Sequence, residues 1–479
     1  MPLILRCTND WWAVCRTASD SSPAALPLSS THLNSREHPF VSHPHKTLIG
    51  LSIPVMLSLI VEPLAGLVDT AFVERIGASY AAALAAATAI YAGTIWVFNF
   101  LGVGTQTEIA QALGRGDRST ASATTTLATV LSLILGSALA AAIWPALDLA
   151  ARWMSEDPVV QTATVAYLKI RLLGAPALLI VLSSLGALRG LQMMRATFWI
   201  AGGISLCNIL LDPILIFGLG PIPQLGIAGA AWATTGSQIL GAVIALWLLR
   251  GRLGFSHAVS WQRAGVLLAV GRDMFVRTGA LLLFLLVATR SAVHVGVDAG
   301  AAHQATRQVW MMMAFLLDSF AYAAQSLIAF FLGARQMMLA RRVARIACTW
   351  GLGTGMTLTI LLLNIEGAIA TLLVPPTAQH LFHGAWVACA IAQPLNSLSF
   401  VTDGIHWGTG DFAYLRNAMV VSTTIGLTLL VLIDRSSPSA LTQIWWITAS
   451  WIALRASFGL LRIWPGTAAS PLRSHEAAI

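Results

Sequence analysis

Leu67-Val68-Asp69-Thr70-Ala71-Phe72-Val73 places a carboxylate inside an apolar stretch, residues 48–73, that is long enough to cross a bilayer. An acid at that depth costs roughly 2.5–3.5 kcal/mol on insertion scales, so its presence points to a task that needs a titratable group away from bulk water. Ion or proton coupling is the first expectation. A second acid repeats the pattern in Asn208-Ile209-Leu210-Leu211-Asp212-Pro213, with Asn208 one helical turn before Asp212 on the same face.

The rest of the chain fits that setting. Hydrophobic residues make up 57% of 479 and charged residues 10%, with a mean hydropathy of +0.75, far from the balance of a soluble globular chain. The net charge of +8 belongs to short connections between apolar spans, and neither a basic domain nor a stacking motif for nucleic acid is present. Five scattered cysteines (Cys7, Cys15, Cys207, Cys348, Cys389) form no CxxC or Cys/His cluster, so neither a disulfide framework nor a metal site follows. No cofactor motif occurs.

Apolar windows predict twelve transmembrane helices, at about 47–74, 79–112, 120–146, 158–188, 195–218, 226–250, 265–290, 299–332, 340–364, 377–407, 413–434 and 441–464. Twelve arginines fall on one set of alternating connections: Arg115, Arg118, Arg189, Arg195, Arg250, Arg252, Arg263, Arg335, Arg341, Arg342, Arg345 and Arg416. Four (Arg75, Arg152, Arg290, Arg435) fall on the other set. The positive-inside bias then puts both termini in the cytoplasm and both acids in the outer half of the membrane.

The chain also resembles itself. One ungapped shift of 219 residues sets Thr70 on Thr289, Gly77 on Gly296, Gln106 on Gln325, Leu113 on Leu332 and Gly114 on Gly333. Six spans map onto six, and an even number per repeat keeps orientation, so the expectation is an all-α polytopic membrane protein of two parallel six-helix lobes around a central cavity. The expected divisions are a disordered tail over 1–46, an N-lobe over 47–250, a linker over 251–264, a C-lobe over 265–464 and a C-terminal tail over 465–479. The shift places Ala288 opposite Asp69, so coupling is expected to belong to the N-lobe.

Glu62-Pro63-x5-Asp69-Thr70-Ala71-Phe72-Val73, Leu188-Arg189-Gly190-Leu191-Gln192, and Trp199-Ile200-Ala201-Gly202-Gly203 with Asn208-x3-Asp212-Pro213 resemble the multidrug and toxic compound extrusion (MATE) family, in its DinF-like branch. Leu317-Asp318-Ser319-Phe320-Ala321-Tyr322-Ala323 and Phe400-Val401-Thr402-Asp403-Gly404-Ile405 extend the resemblance, which runs from about residue 48 to 464. It implies a secondary antiporter that exports amphipathic or cationic compounds in exchange for protons or sodium. Asp69, Asn208 and Asp212 map onto the groups proposed for proton coupling in DinF-like members. Glu74, Gly102 and Met193 depart from the family pattern, which bears on substrate range and gating.

Two carboxyls sharing an apolar pocket are expected to titrate as a pair. Pro63 and Pro213 free carbonyls near them and favour a kink that charge can bias. Glu62, Thr70 and Asp318 are further candidates for contact with substrate or support of the site. Asp403 reads as a polar cap near the cytoplasmic end. Arg277, Arg307 and Arg455 call for acidic partners that the sequence does not name, and His294, His303 and His406 read as packed histidines. Trp96, Phe98, Phe100, Trp310 and Phe315 are candidates for the cavity wall. The expected partners are a small-molecule substrate, a coupling cation and the lipid bilayer, with no nucleic acid, and the chain is expected to act as a monomer in the cell (inner) membrane. A lipid-linked precursor flippase of the wider superfamily is the runner-up, but its cavity would call for more cationic groups. An intramembrane enzyme is the third reading, and no HExxH, GxSxG or paired protease-type aspartates support it.

Overall fold

The computed structural model describes residues 37–219, 222–256, 261–464 and 470–473, and residues from Pro39 to Ile479 form one compact unit. Every regular element among the described residues is helical. Hydrocarbon leaves backbone N–H and C=O groups no partner but each other, and a helix satisfies them within one segment.

The long helices are α1 (Pro44–Glu74), α2 (Ala78–Gly114), α3 (Arg118–Met154), α4 (Pro158–Leu173), α5 (Ala175–Gly190), α6 (Met194–Phe217), α7 (Ile227–Arg252), α8 (Trp261–Val295), α9 (Val297–Gly333), α10 (Met337–Leu373), α11 (Gln379–Ile391), α12 (Gln393–Thr409), α13 (Phe412–Val431) and α14 (Ala440–Ile463). Counting α4/α5 and α11/α12, each broken at a single residue, as one rod apiece makes twelve of these fourteen helices. Among the described residues, ten helices are long and apolar enough to cross a membrane on their own, and α4/α5, bent by 51°, makes an eleventh if it is one span. The α11/α12 rod is more polar. Gln393, Asn396, Ser397, Asp403 and His406 on it are all buried, because α12 packs against α9, α10 and α14 rather than facing lipid.

The repeat is visible in the helix ends. Both ends of α2 lie 219 residues before those of α9, and both ends of α3 lie 219 residues before those of α10. The lobes meet through equivalent contacts. A Cβ on Gly114 would lie 2.0 Å from the Phe330 carbonyl oxygen, and one on Gly333 would lie 2.1 Å from that of Gln111. Residues 111 and 330 are themselves one repeat apart, so the contact is reciprocal, and only glycine permits it at both places.

The hydrogen bonds that join the lobes gather at the end of the bundle where α1 starts and α14 finishes. Gln106 Nε2 donates to Tyr322 O at 2.8 Å, Gln325 Nε2 to Val103 O at 2.9 Å, Thr107 Oγ1 to Trp407 O at 2.8 Å and Ser326 Oγ to Arg189 O at 2.7 Å. Toward the opposite end the apolar cores are separate, one around Leu84, Tyr91, Leu131, Tyr167 and Ile216, the other around Phe284, Ala302, Trp386 and Trp451. The protein is sealed at its terminus-bearing end. Phe100 and Trp310, expected on a cavity wall, are instead buried in these two cores.

The expected disordered tail over 1–46 needs correction at its end. A helical turn at Pro39–Ser42 buries Phe40 completely, and α1 begins at Pro44, so the N-terminal segment is structured well before residue 46. Leu472 is also fully buried within the expected C-terminal tail. Residues 1–36, 257–260, 465–469 and 474–479, including Cys7 and Cys15, lie outside the described residues.

Candidate functional site

Ser52, Val55, Ser58, Ala65, Asp69 and Val73 are buried along α1 at spacings of three, four or seven residues, the stripe by which one helix face meets a neighbour. That neighbour is α6, which turns Asn208, Asp212 and Ile216 inward. Asp69 is 9% exposed and Asp212 fully buried. The two carboxyls lie close enough to act on one another, with Asn208 beside them. Asn208 Nδ2 donates to Asp212 Oδ1 at 3.5 Å and to Thr234 Oγ1 on α7 at 3.3 Å. The three residues singled out from the sequence are therefore brought together.

Two ionised carboxylates offer only acceptors to one another, whereas one proton between them makes a donor and turns repulsion into a hydrogen bond. Asp69 Oδ1 and Asp212 Oδ2 are buried and lack any donor from the protein. A single proton shared between the two carboxyls would satisfy both of these atoms.

A cation completes the surroundings, and the sequence reading passed over it. Arg171, in the interior of α4, is 6% exposed. It donates from Nη1 to Gln238 Oε1 at 2.9 Å and lies 4.5 Å over the Tyr91 ring. Its field reaches Asp69, Glu62, Tyr91 and Tyr167. The signal was available, since an arginine inside an apolar span invites the same question as an aspartate there.

Glu62 continues the α1 stripe between Ser58 and Ala65, yet it is exposed, two turns before Asp69. Thr70 is exposed and its hydroxyl donates to Gly66 O at 2.8 Å on its own helix. Both Pro54 and Pro63 lie within α1, which continues past them as one helix.

Asp318 is not part of this group. It lies in α9 with Oδ1 buried and unpartnered, in the field of Asp403, Arg277, Arg189 and Arg455. Asp403 is no polar cap: its Oδ2 accepts from both Arg277 on α8 and Arg455 on α14, the latter at 3.0 Å. All three are buried, so this is an ion-paired core contact. Arg189, counted with the loop arginines, is instead buried 4.3 Å over the ring of Tyr322 in the other lobe.

These features define an all-helical, multi-pass membrane protein of two lobes with a buried acid pair in one of them. The chain belongs to the MatE family, whose pattern matches residues 54–214 and 278–432. It is 29% identical over 489 residues to Protein DETOXIFICATION 44, chloroplastic, from Arabidopsis thaliana, covering 96% of this chain and 92% of that one. It is also 29% identical to DNA damage-inducible protein F from Escherichia coli (strain K12), covering 82% and 87%. A solved structure described as the outward-facing conformation of a multidrug resistance MATE family transporter superposes with a TM-score of 0.82 at 22% identity, covering 90% of this chain and 97% of that one. That likeness concerns the fold alone. Homologues of this chain are MATE transporters, which move small molecules coupled to cations.

Proposed function

We propose that the protein is a secondary antiporter that exports amphipathic or cationic small molecules in exchange for protons or sodium, with Asp69, Asp212 and Asn208 as the coupling site. The observation that carries this reading is the burial of two neighbouring carboxyls, with Asn208 hydrogen-bonded to that of Asp212. A proton and a cationic substrate compete for the same negative charge. Binding of one therefore weakens binding of the other, and this linkage lets an ion gradient drive efflux. Glu62, exposed two turns before Asp69 on α1, offers the substrate an anionic contact, and Thr70 and Asp318 are candidates for further contact or support. No bond is made or broken in this cycle, and the reading has no place for an enzyme.

The moving bodies in this reading are an N-lobe over 47–250 and a C-lobe over 265–464. The excess of arginine on one set of connections supports cytoplasmic termini and a location in the inner membrane. The seal at the terminus-bearing end then corresponds to an outward-open state. A single chain suffices, since the coupling site is complete within one lobe. Purified protein in liposomes tests the proposal: efflux of a fluorescent organic cation should follow an imposed pH gradient, and repeating the assay with and without sodium assigns the coupling ion. Efflux indifferent to both gradients would refute antiport.

A further inference from the structure

We infer that the two ends of the described chain form an intramolecular latch across the sealed end of the lobe seam, which must let go before the seam opens on that side. The inference rests on the alternating-access reading above.

His43 interrupts the helix at φ −131° and ψ 67°, and the turn Pro39–Ser42 before it leaves the axis of α1. The turn then fastens to the other lobe. Phe40 is fully buried with its ring centroid 5.7 Å from that of Phe331 on α9. Arg342 Nη1 on α10 donates to Val41 O at 3.5 Å, and Trp350 Nε1 donates to His45 Nδ1 at 3.0 Å. Three successive points of the N-lobe's leading segment thus hold α9 and α10 of the C-lobe.

The far end of the chain closes the same cluster. Leu472 is fully buried and shares an apolar core with Phe40, Leu48, Leu327, Phe331 and Ile463. Its carbonyl accepts from Arg341 Nε at 2.7 Å, and Ser470 Oγ donates to Ile463 O at 2.6 Å. Any rigid separation of the lobes at this end must draw Phe40 away from Phe331. The turn at Pro39–Ser42 and the segment around Leu472 lie outside the rods, so they bear on opening without building the transport path.

The test uses thiol labelling in the full-length protein in lipid nanodiscs, resolved by peptide. Ser326→Cys reports on the seam, since Ser326 is fully buried against the Arg189 carbonyl. The native Cys389, buried in the separate outer core of the C-lobe, reports on general loosening. Phe40→Ala and Leu472→Ala should each raise the labelling rate at position 326 about fivefold or more through added local opening, and leave Cys389 unchanged. His45→Ala removes one exposed hydrogen bond and cannot unfold the bundle, so a smaller rise is expected there. Labelling at position 326 within twofold of the parent in all three variants would overturn the latch, as would Cys389 rising in step. No substrate is involved. Failure to find ion-driven efflux with the labelling response intact would count against the transport reading and leave the latch standing.

Discussion

Gln106 and Gln325 make the same bond in opposite directions: each is fully buried, and each donates its carboxamide to a carbonyl of the facing helix, Tyr322 O and Val103 O respectively. The two acceptors are one repeat apart, as are the two donors. A contact that closes on itself in this way marks where duplicated lobes meet, and with Gly114 and Gly333 beyond it, it forms the tightest part of the seam.

Removing the clasp should favour opening. Gln106→Leu leaves the Tyr322 carbonyl without its donor, a loss of about 1–3 kcal/mol from the sealed form. Gln325→Leu should cost at least as much, because Gln325 Nε2 also donates to Thr107 Oγ1 at 2.9 Å. Spin labels at Arg75 and Arg290, at the opposite end of the two lobes, should report a larger population of short distances in both variants. An unchanged distance distribution would show that the glutamines do not hold the sealed state.

The Arg277–Asp403–Arg455 group should act as structure. Asp403→Asn strands two buried guanidinium groups without the carboxylate they are paired with, and breaking a buried pair in this way costs about 3–5 kcal/mol. Arg277→Met should be milder, since Arg455 still faces Asp403. Thermal unfolding in detergent should therefore rank Asp403→Asn well below Arg277→Met. A melting temperature for Asp403→Asn equal to the parent's would contradict the assignment.

Outside the membrane, Asp117 caps α3 by accepting from the Thr120 N–H at 2.9 Å and from the Thr120 hydroxyl. These bonds hold its carboxyl below the usual carboxylate range, the hydroxyl contributing most. A lowered folded value means the cap's contribution is complete above the unfolded carboxylate range and is lost as pH falls through the folded value. Asp117→Ala should cost about 0.5–2 kcal/mol at neutral pH. The gap between variant and parent should close in acid, and a gap independent of pH would disprove the role.

Much of this was legible in the sequence because it is written locally. The length of apolar runs gives the rods, the spacing of Asn208 and Asp212 gives one face of α6, and a single shift exposes the duplication. What remained hidden depends on contacts far apart in the chain. Asp403 lies 126 residues from Arg277 and 52 from Arg455, and no periodicity relates them. Arg189 was misplaced for a related reason: a cation near a helix end looks like a loop charge until another lobe covers it with Tyr322. Arg171 needed only the rule already applied to Asp69, used with the opposite sign of charge. The span expected at 377–407 coincides with α11/α12, which carries buried polar residues because protein encloses it.

Asp69→Asn keeps the volume at the centre of the site and removes the titration. In liposomes under an imposed pH gradient, the parent should expel a fluorescent organic cation, and Asp69→Asn, inserted at the same level and with the same melting temperature, should lose that response. Ala288→Asp in the same chain should not restore it, because the equivalent place in the C-lobe is an apolar core with no second acid against it. Gradient-driven efflux by Asp69→Asn at the parent's rate, with an unchanged pH profile, would contradict the claim that the Asp69–Asp212 pair couples transport to protons.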